Sequence, residues 1–190
     1  MNITVYLGAN PGNSGKFREA LAELGSFIGK RGDTLIYGGS KSGLMGILAD
    51  SVLAANGPVI GVEPKMFIEK QLQHDSISEL IITEDMSERK AKMIELGDAF
   101  IAFPGGTGTL EEIAEIMSCV SLGLINAPCI LYNLDGYYDG LKELLSTMIS
   151  YDFSSKERQE GIFFANSIAE IENILLTTGR KLVKEEGKVD

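Results

Sequence analysis

Histidine occurs once in this chain, as His74, and cysteine twice, as Cys119 and Cys129. One histidine without a cysteine cluster leaves too few ligands for a catalytic zinc site. A Ser-His-Asp triad would have to be built around His74, and no G-x-S-x-G nucleophile elbow is present. His74 stands in a polar, loop-like stretch and reads as a solvated residue. The cysteines lack metal-type spacing and nothing suggests export, so free thiols in a reducing, cytoplasmic setting are expected. Basic residues are scarce: 17 Lys and Arg against 27 Asp and Glu give a net charge of -10. That balance argues against a nucleic-acid backbone or an anionic membrane as partner. It leaves a small phosphorylated ligand open, because local N–H groups can outweigh a distant global field. No apolar stretch reaches the length of a membrane span. Met1-Asn2-Ile3-Thr4-Val5 runs directly into a strand pattern without a basic n-region or cleavage site, so no signal peptide is expected.

Two common nucleotide fingerprints are missing as well. No G-x-G-x-x-G follows the first strand, which leaves a dinucleotide cofactor unsupported. The stretch Gly8-Ala9-Asn10-Pro11-Gly12-Asn13-Ser14-Gly15-Lys16-Phe17 imitates a P-loop. It fails at Asn10, where the first Gly is needed, and at Phe17, where Ser or Thr is needed.

What is present is an alternation of apolar, β-branched runs with helical patterns. A chain of 190 residues suits one well-buried domain, taken as residues 1–190 with a charged tail over 181–190 that frays. No internal repeat, low-complexity segment or linker interrupts it. Strands are expected at 3–7, 34–37, 59–62, 80–83, 99–103 and 129–132. Helices are expected near 15–30, 43–56, 64–72, 86–96, 110–123, 137–150 and 168–186, with a polar surface connection over 152–159. Strands apolar throughout, rather than alternating, imply burial on both faces. The expected fold is α/β: a Rossmann-like, three-layer α/β/α architecture around a mostly parallel, doubly wound sheet. Ligands of such sheets bind beyond the carboxyl ends of the strands. Those ends carry Gly8-Ala9-Asn10, Gly38-Gly39-Ser40, Glu84-Asp85-Met86 and Pro104 to Thr109.

The last of these is the most informative. Gly105, Gly106 and Gly108 permit close backbone approach, and Thr107 and Thr109 add hydroxyl donors, in a turn that opens into a helix N-terminus. Such a turn aims N–H groups and the positive end of the helix dipole at one point, which suits a phosphate. Glu112 and Glu115 follow, one turn apart. On a wheel they share a side with Glu111 and Cys119, while Leu110, Ile113, Ala114, Met117, Val120 and Ser121 occupy the other. Thr109-Leu110-Glu111-Glu112 also fits a capping box, so a structural and a catalytic role for Glu112 stand level. Arg89 and Lys90 lie where the helix dipole disfavours them, and Arg89 offers a rigid fork for phosphate or carboxylate. The bland alternative pairs them with Glu88 or Asp85. Gly38 to Gly46 forms a second Gly-rich turn, which either brings donors such as those of Gly39 to a ligand or merely permits close packing.

In combination these residues resemble the LOG ("lonely guy") family, the cytokinin riboside 5′-monophosphate phosphoribohydrolases. Residues 104–112 fit its P-G-G-x-G-T-x-x-E signature, Arg89-Lys90 matches its Arg-Lys pair, and residues 37–46 are similar to its Y-G-G-G-x-x-G-L-M-G. Leu122-Gly123 and Asn133 to Tyr138 extend the resemblance, which covers about residues 3–150. Ala9, Ser40 and Cys119 depart from the pattern, where Ser, Gly and Trp are usual. The resemblance implies hydrolysis of the N-glycosidic bond of AMP or an N6-modified AMP, without metal or organic cofactor, in a homodimer. In that reading Gly105, Gly106, Thr107, Gly108 and Thr109 hold the phosphate. Glu112 faces the anomeric carbon, and Arg89 orients Glu112 and the substrate or helps the base depart. Glu115 holds Arg89 or a ribose hydroxyl, Met86 packs on the base, and Lys90 and Gly39 contact the substrate. Molybdenum-cofactor carrier proteins also resemble this fold, so a non-catalytic anion-binding module is the alternative. A nucleotide-sensing adapter is a third reading.

Overall fold

In the computed structural model, which describes residues 1–185, apolar runs buried on both faces form one sheet. Its strands are β1 (Asn2–Tyr6), β2 (Thr34–Tyr37), β3 (Val59–Pro64), β4 (Glu79–Thr83), β5 (Ala99–Ala102), β6 (Cys129–Tyr132) and β7 (Ile162–Ala165). Their order is β4-β3-β2-β1-β5-β6-β7, and every pairing is parallel. Successive residues of a strand point to opposite faces, and here both faces are covered. Ile3 and Val5 enter one apolar cluster with Leu35 and Ile101. Tyr6, Ile36 and Phe100 enter the other.

The helices are α1 (Gly15–Lys30), α2 (Gly43–Ala54), α3 (Lys65–Ile68), α4 (Met86–Leu96), α5 (Thr107–Ser121), α6 (Asp139–Ser150) and α7 (Ile168–Glu185). α1, α2 and α7 cover one face through Leu21, Leu24, Leu48 and Ile171. α4, α5 and α6 cover the other through Met93, Ile113, Ile116 and Leu145. The result is the three-layer architecture expected from the sequence. α1 and α2 approach closely because Gly25 has no side chain: a Cβ there would lie 2.8 Å from the Leu48 carbonyl oxygen.

Several expected boundaries shift. α5 begins at Thr107 rather than near Leu110, with Gly106 as its N-cap. The expected helix over 64–72 shrinks to Lys65–Ile68, and the chain then turns through Gln71 at φ 55°. β7 was not anticipated; its four residues, IFFA, are too short to signal a strand after the polar connection. The anticipated fraying tail divides: residues up to Glu185 continue α7, and 186–190 lie outside the described residues.

The sheet order places a topological switch between β1 and β5. The chain leaves β1 toward β2 on one side, while β5 adds on the other. The register aligns Val5 with Ile101 and Tyr6 with Ala102, so the two carboxyl ends are level. The loops diverge above them and open a crevice, where α/β sheets bind ligands.

Candidate active site

A cavity of about 620 Å³ occupies that crevice, bounded by Gly8 to Gly12, Gly38, Ser40, Glu63 and Pro104 to Thr109. Met45, Phe67, Leu72 and Met86 supply apolar wall, and Arg89, Glu112 and Tyr137 reach it from α4, α5 and the loop after β6.

The Gly-rich turn forms its anion-attracting side. Gly106 gives α5 no side-chain cap and the first turn holds no acidic residue. The first backbone bond of the helix is Leu110 N–H to Gly106 C=O. The N–H groups of Thr107, Gly108 and Thr109 precede it and have no intrahelical acceptor. Thr109 Oγ1 is buried without a hydrogen-bond partner. Gly105 is required by close approach: a Cβ there would lie 2.9 Å from the Gly8 backbone nitrogen. Tyr137 donates its hydroxyl to the Gly105 carbonyl, fixing the turn from the far side. Asn133 shapes the loop that delivers Tyr137, accepting from Tyr138 N–H at 2.6 Å and donating to Asp139 at 2.8 Å.

Glu112 does not close a capping box, because Thr109 lies inside the helix rather than at its N-cap. Its carboxylate instead accepts from Arg89 Nη1 at 2.8 Å. Both residues are buried, with 8% of Glu112 and 7% of Arg89 exposed. Leu110, placed by the wheel on the apolar side, is 45% exposed. The inward face of α5 is therefore rotated to carry Thr109, Glu112, Ile113 and Ile116. Burial pushes the Glu112 carboxyl above its ordinary range, and the adjacent Arg89 guanidinium partly offsets that rise.

Arg89 turns inward because the acidic residues around it are engaged elsewhere. Asp85 caps α4 by accepting from Glu88 N–H, and Glu88 accepts from Glu84 N–H. Arg89 Nε then donates to the Val62 carbonyl at 3.0 Å. The guanidinium thus bridges the end of β3 to α5.

Of the residues named from sequence, Gly105, Gly106, Thr107, Gly108, Thr109, Met86, Arg89 and Glu112 gather on one cavity. Lys90, Glu115 and Gly39 are not among its lining residues. Lys90 pairs with Glu111 and Glu115 on the outer side of α5, so Glu115 holds Lys90 rather than Arg89. Gly39, at φ +85°, packs against Glu63 and accepts from His74 N–H.

His74 is a correction: it is buried, not solvated. Its Nδ1 accepts from Ser76 N–H, which places the ring proton on Nε2, 3.0 Å from Asp50 Oδ1. Glu63 and Tyr137 were missed. Glu63 closes an apolar strand and signals nothing in isolation, whereas Tyr137 lay in a motif already noted. Among the described residues, no group of acidic, His or Cys side chains is arranged to hold a metal ion. Nor is any helix there long and apolar enough to cross a membrane.

The family model described as "Possible lysine decarboxylase" matches residues 45–175. A rice (Oryza sativa subsp. japonica) protein named probable cytokinin riboside 5′-monophosphate phosphoribohydrolase LOGL1 is 40% identical over 89% of this chain and 76% of its own. The cytokinin riboside 5′-monophosphate phosphoribohydrolase of Rhodococcoides fascians is 44% identical over 72% of this chain and 70% of its own. The chain belongs to the LOG family. Among solved structures, the molybdenum cofactor binding protein of Rippkaea orientalis superposes on this LOG-family chain with a TM-score of 0.69. It covers 93% of this chain and 95% of its own at 23% identity. A Moco carrier protein of Chlamydomonas reinhardtii gives 0.69 at 21% identity, over 95% and 98%. At such identity these two establish a shared fold alone. The decarboxylase description finds no support in the site, where nothing argues for a pyridoxal phosphate pocket.

Proposed function

We propose that this protein hydrolyses the N-glycosidic bond of a nucleoside 5′-monophosphate, AMP or an N6-modified AMP of cytokinin type. The products are the free base and ribose 5-phosphate. The observation that carries the reading is the buried Glu112–Arg89 pair, held beside an uncapped helix N-terminus in one cavity. The relatives named phosphoribohydrolases support it.

The chemistry follows from charge. The 5′-phosphate docks on the first-turn N–H groups of α5, with Thr109 Oγ1 as a further donor. The ribose then lies over the second turn of α5, against Glu112. Departure of the base leaves an oxocarbenium-like sugar. The Glu112 carboxylate stabilises that cation and takes a proton from the attacking water. Arg89 fixes the carboxylate's orientation. Because burial raises the Glu112 pKa and the ionised form is the active one, activity falls as pH drops through that raised value. No cofactor enters this scheme. A cytoplasmic setting fits the two unbridged cysteines. A homodimer fits the exposed Leu122, Leu124, Tyr151 and Phe153 beyond α5 and α6. The single-domain assignment belongs to the same proposal.

The test is release of adenine from AMP and N6-prenylated AMP by wild type and Glu112→Gln. Wild type releases base, and the variant loses about 10³-fold or more in kcat while remaining folded. Full activity in Glu112→Gln refutes the role. The shared fold with molybdenum cofactor proteins favours a second reading, a non-catalytic carrier. A co-purified pterin with no release of base would select it.

A further inference from the structure

Glu63 is a second buried carboxyl of the cavity, with no part in the hydrolytic scheme. It stands at the carboxyl end of β3, is 2% exposed, and lines the crevice. Its Oε2 is buried without a hydrogen-bond partner. The Gly38-Gly39 backbone locates it relative to Glu112. A Cβ on Gly38 would collide with Arg89 Nη2, and a Cβ on Gly39 would lie 3.2 Å from Glu63 Oε2. Glu63 and Arg89 both line the cavity, and the guanidinium bears electrostatically on the carboxyl without pairing with it. Arg89 also bonds Glu112. Glu112, Arg89 and Glu63 thus share one cavity, Glu112 on the helix that the Gly-rich turn opens and Glu63 at the carboxyl end of β3. Met45, Phe67 and Leu72 line the same cavity, the apolar walls that a flat heterocycle needs. With a ribose at Glu112, the Glu63 end of the same cavity offers room for the base.

A purine leaving as an anion is a poor leaving group, and a carboxyl kept neutral in an apolar site is a suitable acid for it. Resting on the hydrolytic reading above, we propose that protonated Glu63 donates its proton to a ring nitrogen of the departing base. The C1′–N bond breaks with its electron pair moving to the base, which takes the Glu63 proton on a ring nitrogen. Water adds to C1′ through oxygen and gives its proton to Glu112. Glu112 releases a proton to solvent and Glu63 regains one, so the net change is hydrolysis.

Burial raises the Glu63 carboxyl to about 7 in spite of the opposing effect of Arg89. The other titratable group bearing on it is Tyr37 of β2, which feels both Glu63 and Asp50 of α2. His74 engages Asp50. Lys41 and Lys65 are paired outward with Asp75 and Glu84.

Two substrates separate the possibilities: AMP, and 4-nitrophenyl ribofuranoside 5-phosphate, whose leaving group needs no proton. Glu63→Gln should lose about 10²–10³-fold in kcat on AMP, yet keep the nitrophenyl rate within a few-fold. Wild-type kcat/KM on AMP should fall above about pH 7, and that limb should be absent with the nitrophenyl substrate. The retained nitrophenyl rate also reports that the variant is folded. If the variant cannot be purified, the two wild-type pH profiles still decide. Equal loss on both substrates, a change in KM alone, or identical wild-type profiles overturns the proposal. A wild type that cleaves neither substrate refutes the hydrolytic reading instead.

Discussion

Gly38→Ala alters no charged or hydrogen-bonding side chain, yet it should disable the site. The new methyl group would overlap Arg89 Nη2 and lie 3.1 Å from Met45 Sδ. Both are ends of flexible side chains, so the fold can yield. Gly38 is not among the glycines with positive φ, so its backbone accepts alanine. The guanidinium must swing away, and its 2.8 Å bond to Glu112 is then lengthened or lost. A hydrogen bond between charged groups contributes about 1.5–3 kcal/mol. If that orientation is needed in the transition state, kcat/KM falls by about 10- to 150-fold. Global stability should fall by no more than the about 3 kcal/mol that losing one partner of a buried pair costs. Steady-state assays with AMP and a urea titration measure the two quantities. Wild-type kcat/KM in Gly38→Ala would refute the role of the Arg89–Glu112 bond; a collapsed fold would refute the claim that the overlap is relieved by side chains.

Three further outcomes are expected. Gly105→Ala drives a Cβ to 2.9 Å from the Gly8 backbone nitrogen, which cannot yield as a side chain can. It should raise KM for phosphorylated substrates about tenfold or more, measured against inorganic phosphate as a competitor. Glu63 prefers its neutral form when folded, so its contribution to stability is complete below its ordinary 4.5 and is lost as pH rises through about 7. Cavity water limits the effect to about 1–2 kcal/mol, visible as a narrowing stability advantage of wild type over Glu63→Gln between pH 5 and 8. Arg89→Met leaves the buried Glu112 without its partner and should cost about 3 kcal/mol in denaturant melts. The double variant Arg89→Met/Glu112→Leu should recover most of that loss.

The layers were legible because β2, β5 and β6 are apolar at consecutive positions, which only a sheet covered on both faces permits. The Gly-rich turn between β5 and α5 was legible because its glycines sit between a buried strand and a helix. The remainder is set by tertiary contacts. Thr109 and Glu112 have capping-box spacing, but the helix starts earlier, at the uncapped Gly106. His74 looked solvated because its partners, Asp50 and the Gly39 carbonyl, are distant in sequence. Glu63 follows Val62 at the end of an apolar run. Its isolation from water arises only in the fold, where Gly39 packs against it. The inward turn of Arg89 likewise depends on Asp85 and Glu88 being used by the α4 N-terminus.

The most direct measurement compares AMP with adenosine under identical conditions, quantifying free adenine and the sugar product. If first-turn amides of α5 hold the 5′-phosphate and thereby set the anomeric carbon against Glu112, adenosine should react at least about 10³-fold more slowly in kcat/KM. Equal turnover of both, or release of adenine from neither, contradicts that claim.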